Sequence, residues 1–176
     1  MNTEVIIIVV AVLVLLGVLV FVVLKKEKYA TTQPPTATQS ILTTISNVLK
    51  QVSILNSNIQ NKLDYANDLS IALSITALYV SKNIDAINNY IAANKGSTVS
   101  PTNSLFVTSL AAMQEISLQF GGNTPLNTTL VSISNNLFII YLNMSLNEEI
   151  ISSINNTETY TSLLTLFPEF PILFKI

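Results

Sequence analysis

The chain has 176 residues, a formal net charge of −2 and no histidine, cysteine or tryptophan, and all eight of its basic residues are lysines. It therefore lacks the residues of cysteine nucleophiles, histidine acid–base catalysis, zinc, haem and copper sites, and disulfide scaffolds. Charged residues make up 10% of the chain, while 19 Asn, 18 Ser and 18 Thr supply polarity without charge; soluble domains contain about 25% charged residues.

Residues 5–24 form a continuous apolar run, VIIIVVAVLVLLGVLVFVVL, without a charged or hydrogen-bonding side chain. As a helix, a run of this length extends about 30 Å, which is the thickness of the hydrocarbon core of a bilayer. The sequence therefore predicts an N-terminal transmembrane helix, with residues 1–28 as the membrane anchor and its basic flank. The anchor residues include Val5, Leu13, Leu16, Phe21 and Leu24.

A cleaved signal peptide is the alternative interpretation of this run. Signal peptides have a basic segment before a shorter apolar run and a small-residue cleavage site after it. Here residues 1–4 have no basic side chain, and residues 25–28, three of them lysine, follow the run. No later stretch is expected to span a membrane, because the apolar run at 137–142 is too short and prolines interrupt residues 163–176.

Residues 29–39, YATTQPPTATQ, predict a short extended linker, because they contain two prolines and no apolar period. From Ile41 to Ile91 apolar residues then recur every three or four positions, which is typical of helices that bury one face. The pattern leaves open whether residues 40–94 form one long helix or two, since a polar cluster at 56–61 is a candidate break.

Two further helices are predicted after this first helical region. One covers residues 104–120 and ends at two glycines, and the next starts at Pro125 with Thr124 as its cap. Asn147 is the one polar residue in the apolar stripe of this last helix. Residues 40–160 are therefore expected to form an all-α domain, either a long antiparallel helical hairpin or a helical bundle.

A bundle, or a hairpin that completes its core by oligomerising, is favoured because positions beside the main apolar stripe are also apolar. These positions are Leu49, Ile54, Ile71, Ile75, Leu78, Val131 and Ile139. Asparagine, serine and threonine are expected on the outer faces of the helices, where they replace charged residues.

Residues 161–176 form a strongly apolar tail in which two prolines exclude a regular helix. Its large side chains, Phe167, Phe170 and Phe174, are unfavourable in water. The tail is expected either to pack back across the bundle or to dock onto a neighbouring subunit or the membrane surface.

Few residues remain that could carry chemistry. Asp64 and Asp68 lie one helical turn apart and, with Asp85, are candidates for a metal or acid–base site. A solvated helix face is the favoured interpretation, because no calcium-loop pattern is present. We therefore expect a protein that is not an enzyme, with no catalytic residue, metal ligand, cofactor or small-molecule substrate.

The expected partners are the lipid bilayer and other structural subunits, or further copies of this chain. Nucleic acid is not expected, because the chain has no arginine and no basic stripe. A homo-oligomer is expected, since the helical faces are wide enough to bury more than one neighbour.

Two indications of membrane orientation disagree. The lysines after the apolar run place the helical domain on the cytoplasmic side by the positive-inside rule. Asn127, Asn143 and Asn155 instead begin N-x-S/T tripeptides, which are candidate glycosylation sites of an extracytoplasmic domain, although chance also produces them in a chain of this composition. Both indications are compatible with a particle that has an internal membrane and assembles in the cytoplasm.

The dominance of Ile, Asn, Ser and Thr resembles the composition of membrane and surface proteins of thermoacidophilic archaea and their viruses. The resemblance extends over the whole chain, contains no motif and implies no site residues. It implies a single-pass structural protein of a virion membrane, spike or envelope, whose helical domain makes protein–protein contacts. The alternatives are a cell-surface receptor or sensor and a noncatalytic anchor subunit of a membrane complex.

Overall fold

A computed structural model describes residues 37–58, 62–99, 104–120 and 125–174. They belong to one compact unit, Thr36–Ile176, and within these ranges the chain forms α-helices, one 3-10 turn and no strand. The all-helical prediction is confirmed. The predicted transmembrane helix and nearly all of the predicted linker lie outside the described residues.

The helices are α1 (Ala37–Asn58), α2 (Lys62–Lys82), α3 (Ile84–Ala93), α4 (Ser104–Ser117), α5 (Pro125–Leu146), α6 (Glu148–Ile154), α7 (Glu158–Leu166) and α8 (Phe170–Phe174). A 3-10 turn, Leu118–Phe120, extends α4. Helix α5 is the central helix, because α1, α2 and α4 all pack against it. Helices α6 and α7 contact α1, and α8 contacts α2, so the domain is a bundle around α5.

The described parts of residues 40–94 belong to three helices. Residues 59–61, between α1 and α2, lie outside the described residues. Helices α2 and α3 are separated at Asn83, whose side-chain Nδ2 donates to the Tyr79 carbonyl oxygen at 2.9 Å. Asparagine favours such a break, because its side chain competes for backbone hydrogen-bonding groups.

Asn147 separates two helices that the apolar pattern had joined. Its backbone is extended, and its side-chain oxygen accepts a hydrogen bond from the Glu149 N–H at 3.2 Å, which makes Asn147 the N-cap of α6. The acidic side chains of Glu148 and Glu149 also favour a helix start at this position. The predicted continuous helix is therefore wrong at this residue, because a cap interaction stops it.

Hydrogen bonds between α4 and α5 determine their relative direction. Near the start of α4, the Ser109 hydroxyl donates to Asn135 Oδ1 at 2.6 Å. At the end of α4, Asn127 Nδ2 donates to the Ser117 hydroxyl at 2.8 Å. The order of contacts along α5 is reversed, so α4 and α5 are antiparallel.

Helix α2 runs in the same direction as α5. The Ser134 hydroxyl of α5 donates to the Ala72 carbonyl oxygen of α2 at 2.8 Å, and after α3 the Gly96 N–H donates to the Leu146 carbonyl oxygen at 2.7 Å. Helix α1 packs against α5, where Gln51 Nε2 donates to the Ser132 hydroxyl at 2.6 Å. We call the end of the bundle that contains Gly96 and Leu146 the Gly96 end.

The C-terminal tail packs into the core of its own chain. Phe167, Phe170 and Phe174 are all buried, and the ring of Phe174 lies 4.8 Å from that of Tyr141 and 5.1 Å from that of Phe170. Pro171 lies in the first turn of α8, where its missing N–H is tolerated. In the described structure these three phenylalanines therefore pack within their own chain.

Some of the asparagine, serine and threonine side chains lie inside the bundle. For these residues the prediction that they occupy the outer faces of the helices is wrong. The buried residues of this kind are Thr76, Ser109, Ser117, Asn127, Ser134 and Asn143. In the described part of the chain every buried side-chain nitrogen or oxygen has a hydrogen-bond partner. Burial of these groups is therefore compensated, as a stable core requires.

Within the described ranges, one helical stretch is long and apolar enough to cross a membrane: Asn127–Leu146 in α5, with mean hydropathy 1.3. The sequence pattern had not predicted a span there. However, 67% of its most apolar window is buried inside the bundle, and α1, α2 and α4 contact this helix. The core helix of a folded bundle meets the same criteria of length and composition.

Stability is expected to fall in alkali. Burial raises the pKa of Tyr79 and Tyr160 above the usual 10.0, although a hydrogen bond with Thr108 lowers that of Tyr79 to a smaller extent. The folded state therefore holds these protons more tightly, so its stability is fully present below the unfolded pKa and is lost as the pH rises through the folded pKa. Denaturant unfolding at about pH 8 and about pH 11 tests this, and Tyr79→Phe should reduce the difference.

Candidate interaction surface

An open groove runs along the outer face of α2. Its volume is about 540 Å³, and its lining residues are Ser70, Leu73, Ser74, Ala77, Leu78, Ser81, Phe120, Glu169 and Leu173. We call this feature the α2 groove. Two smaller depressions, of about 360 and 260 Å³, continue it along α2 toward α7 and toward α3.

The α2 groove lies on the face of α2 that points away from the bundle. Ala72, Ile75 and Tyr79 point into the bundle and are buried, so the opposite face carries small side chains such as Ser70, Ser74 and Ala77. Helix α8 stands on one side of this face and the 3-10 turn on the other, where Leu173 and Phe120 form the walls. Both wall residues are exposed, as is Leu78.

A second exposed apolar surface lies on α4 and on the 3-10 turn that extends it. Val107, Leu110 and Leu118 recur at helical spacing and are 61%, 50% and 52% exposed. They lie on the flank of α4 that faces away from α2, because Leu105, on the other flank, accepts a hydrogen bond from the Tyr79 hydroxyl. We call these three residues, with Ala111 and Gln114 between them, the α4 ridge.

Neither surface contains an ion pair. In the described part of the chain, the ion pair joins Lys95 Nζ to Glu148 Oε1 at 3.1 Å at the Gly96 end, with both side chains exposed. Such a pair contributes about 0–1 kcal/mol. This pair therefore contributes little to stability, and both surfaces consist mainly of apolar and uncharged polar side chains.

The structure describes the side chains of two of the three candidate carboxylates. Asp68 is buried on α2, whereas Asp85 is exposed in the first turn of α3. The side chain of Asp64 lies outside the described residues. In the described ranges, no group of three or more Asp and Glu side chains is arranged to hold a metal ion.

The three candidate glycosylation sites differ in accessibility. Asn127 and Asn143 are buried: the Asn127 amide donates to Ser117, and the Asn143 side chain accepts from the Val99 N–H at 3.2 Å. In this fold neither of these two side chains is open to solvent. Asn155 is exposed at the end of α6 and remains an accessible candidate.

Sequence reasoning missed both exposed surfaces. It assigned Leu78 and Ile54 to a wider buried face, but the structure exposes both residues. It did not single out Leu110 as exposed, because the residue follows the same helical spacing as the buried Met113. Apolar spacing identifies a helix, but it does not distinguish a face covered by the bundle from one that is left open.

Comparison of the whole chain with protein families, with characterised proteins and with solved structures finds no match.

Proposed function

We propose that this protein is a non-enzymatic, single-pass membrane-anchored structural protein, a component of a virion membrane or cell envelope. Its helical domain makes protein–protein contacts. The observation that carries the proposal is the pair of exposed apolar surfaces, the α2 groove and the α4 ridge, on a domain whose buried polar groups are already paired. Exposed apolar patches of this kind are typical of interaction sites.

The apolar run at residues 5–24 supports the membrane part of the proposal. Its length matches the hydrocarbon core of a bilayer, and the lysines that follow it suit the lipid headgroups. The proposed anchor precedes the helical domain in the chain and is joined to it through the residues before α1.

The composition supports the assignment to a virion or envelope. Hydroxyl and amide groups keep their hydrogen bonds when carboxylates become protonated, and several interhelical bonds here are of this uncharged kind. This chemistry suits a protein exposed to acid. A receptor and an anchor subunit remain the competing functions, and they would co-purify with signalling or enzyme subunits instead of with a shell or envelope.

The experiment that tests the anchor is flotation of the full chain with lipid vesicles. The double substitution Leu13→Arg and Leu16→Arg should abolish co-flotation, because each central charge costs about 3 kcal/mol of insertion free energy. Thr31→Arg with Thr32→Arg is the matched control and should float as the wild type does. If the Leu13 and Leu16 double variant floats equally well, the anchor is wrong. Absence of the chain from purified particles and envelopes contradicts the structural function.

A further inference from the structure

We propose that the α2 groove binds the α4 ridge of a second copy of this chain. The inference rests on the structural function proposed above and names the partner of that surface. The shapes of the two features are complementary. The floor of the groove consists of Ser70, Ser74 and Ala77 between apolar walls, whereas the ridge projects the larger side chains of Leu110 and Leu118.

The two features also agree in length. The floor of the groove runs from Ser70 to Ser81, and the ridge runs from Val107 to Leu118. Each interval corresponds to about 16 Å of helix. The whole ridge can therefore lie along the whole groove.

Groove and ridge lie at the same level along α5. On the groove side, the Ala72 carbonyl oxygen of α2 is hydrogen-bonded to Ser134 of α5. On the ridge side, Ser109, which precedes Leu110 in α4, is hydrogen-bonded to Asn135 of α5. Two copies that stand side by side in the same orientation therefore bring ridge and groove together without an axial shift. Because α2 and α4 are antiparallel within one copy, the docked ridge runs antiparallel to the neighbour's α2.

The chain that precedes the described domain explains why the occupant is another copy. Every copy carries its own proposed anchor at residues 5–24, so copies in one bilayer are held at the same membrane. Residues 25–36 between the apolar run and α1 span at most about 40 Å, which permits neighbouring bundles to touch. Tethering to one surface also raises the effective concentration of each copy for the next.

The electrostatics of the two surfaces are compatible with this contact. The ridge residues carry no charge, and Glu169 is the charged residue among those that line the α2 groove. Because Glu169 is exposed at the edge of the groove, docking need not bury an unpaired charge, which would oppose association. The groove and the ridge are different surfaces, so the contact is head-to-tail and produces rings or open arrays.

Disulfide trapping tests the contact directly, because the chain contains no cysteine. Ser74→Cys places a thiol on the groove, and Ala111→Cys places one on the ridge. We expect a disulfide-linked dimer when full-length copies of the two variants are reconstituted together in vesicles and oxidised. Either variant alone should give several-fold less dimer, because a head-to-tail contact never brings identical positions together.

The control for random collision is Ser46→Cys, on the exposed side of α1, combined with Ala111→Cys. An equal yield from this control pair would overturn the contact, and so would an equal yield of dimer from the Ser74→Cys variant alone. Leu110→Lys, introduced into the Ala111→Cys chain, should abolish the cross-link. Ile54→Lys in the same Ala111→Cys chain is the matched control, because Ile54 and Leu110 are 49% and 50% exposed. It should leave the cross-link unchanged, since Ile54 lies on α1, outside the groove and the ridge.

Flotation of the same vesicles separates the two proposals. A chain that floats without cross-linking overturns the contact between copies and leaves the membrane-anchored function standing. A chain that does not float contradicts the anchor itself. A circular dichroism spectrum of each variant, with the helical signal of the wild type, establishes that the result reports on docking and not on folding.

Discussion

Replacement of Phe170 by alanine is expected to lower the free energy of unfolding by about 3–5 kcal/mol, which is the usual effect of removing a fully buried phenylalanine. Phe170 has no exposed surface, and its ring lies 5.1 Å from that of Phe174. The substitution leaves a cavity between α8 and the rest of the core. Because α8 has 5 residues, few of its side chains can move to fill that cavity.

Ile172→Ala is the matched control in the same helix, because this side chain is 78% exposed. It should change stability by less than about 0.5 kcal/mol. Denaturant unfolding of the full chain in detergent, followed by circular dichroism, measures both variants. Equal stability of the Phe170→Ala variant and the wild type would show that the tail is not part of the core, which would restore its interpretation as a docking segment.

Ser134→Leu is expected to destabilise the bundle by about 1–3 kcal/mol through overpacking. Helices α2 and α5 approach so closely at this residue that the Ser134 hydroxyl reaches the Ala72 carbonyl oxygen at 2.8 Å. The Thr76 hydroxyl spans the same contact in the other direction and donates to the Ser134 carbonyl oxygen at 3.0 Å. A leucine at this position must push the two helices apart.

Two further substitutions separate overpacking from the loss of a hydrogen bond. Ser134→Ala removes the hydroxyl without adding volume and should cost about 1 kcal/mol or less, since the Thr76 hydroxyl also lies within hydrogen-bond distance of the Ala72 carbonyl oxygen, at 3.0 Å. Ser46→Leu adds the same volume at an exposed position of α1 and should be near neutral. If Ser134→Leu and Ser46→Leu have equal effects, the close approach of α2 and α5 is contradicted.

Local physics explains which parts of the fold were predictable. The regular spacing of apolar residues in α1 predicted the face that buries Ile41, Ile45 and Val48. Pro125 predicted a helix start because its ring suits the first turn. These features depend on residues a few positions apart, so a single sequence contains all the information that they require.

The interaction surface was not predictable in the same way. Leu78 and Leu110 have the spacing of core residues, yet within the described ranges both side chains are exposed. The surroundings of Leu78 depend on where α8 and the 3-10 turn lie, and these elements are distant from Leu78 in sequence. The α2 groove exists because helix α8 packs beside α2 and Phe120 lies on its other side.

Sequence alone determined that this protein is helical, has little charge and contains one run of residues long enough to span a bilayer. Those properties follow from composition and from short-range periodicity. The tertiary structure decided that Ser134 and Asn127 lie inside the bundle, that Asn147 begins a helix and that the phenylalanines of the tail belong to the core. The burial of a small polar residue depends on a partner from another helix, and only the packing of the helices supplies that partner.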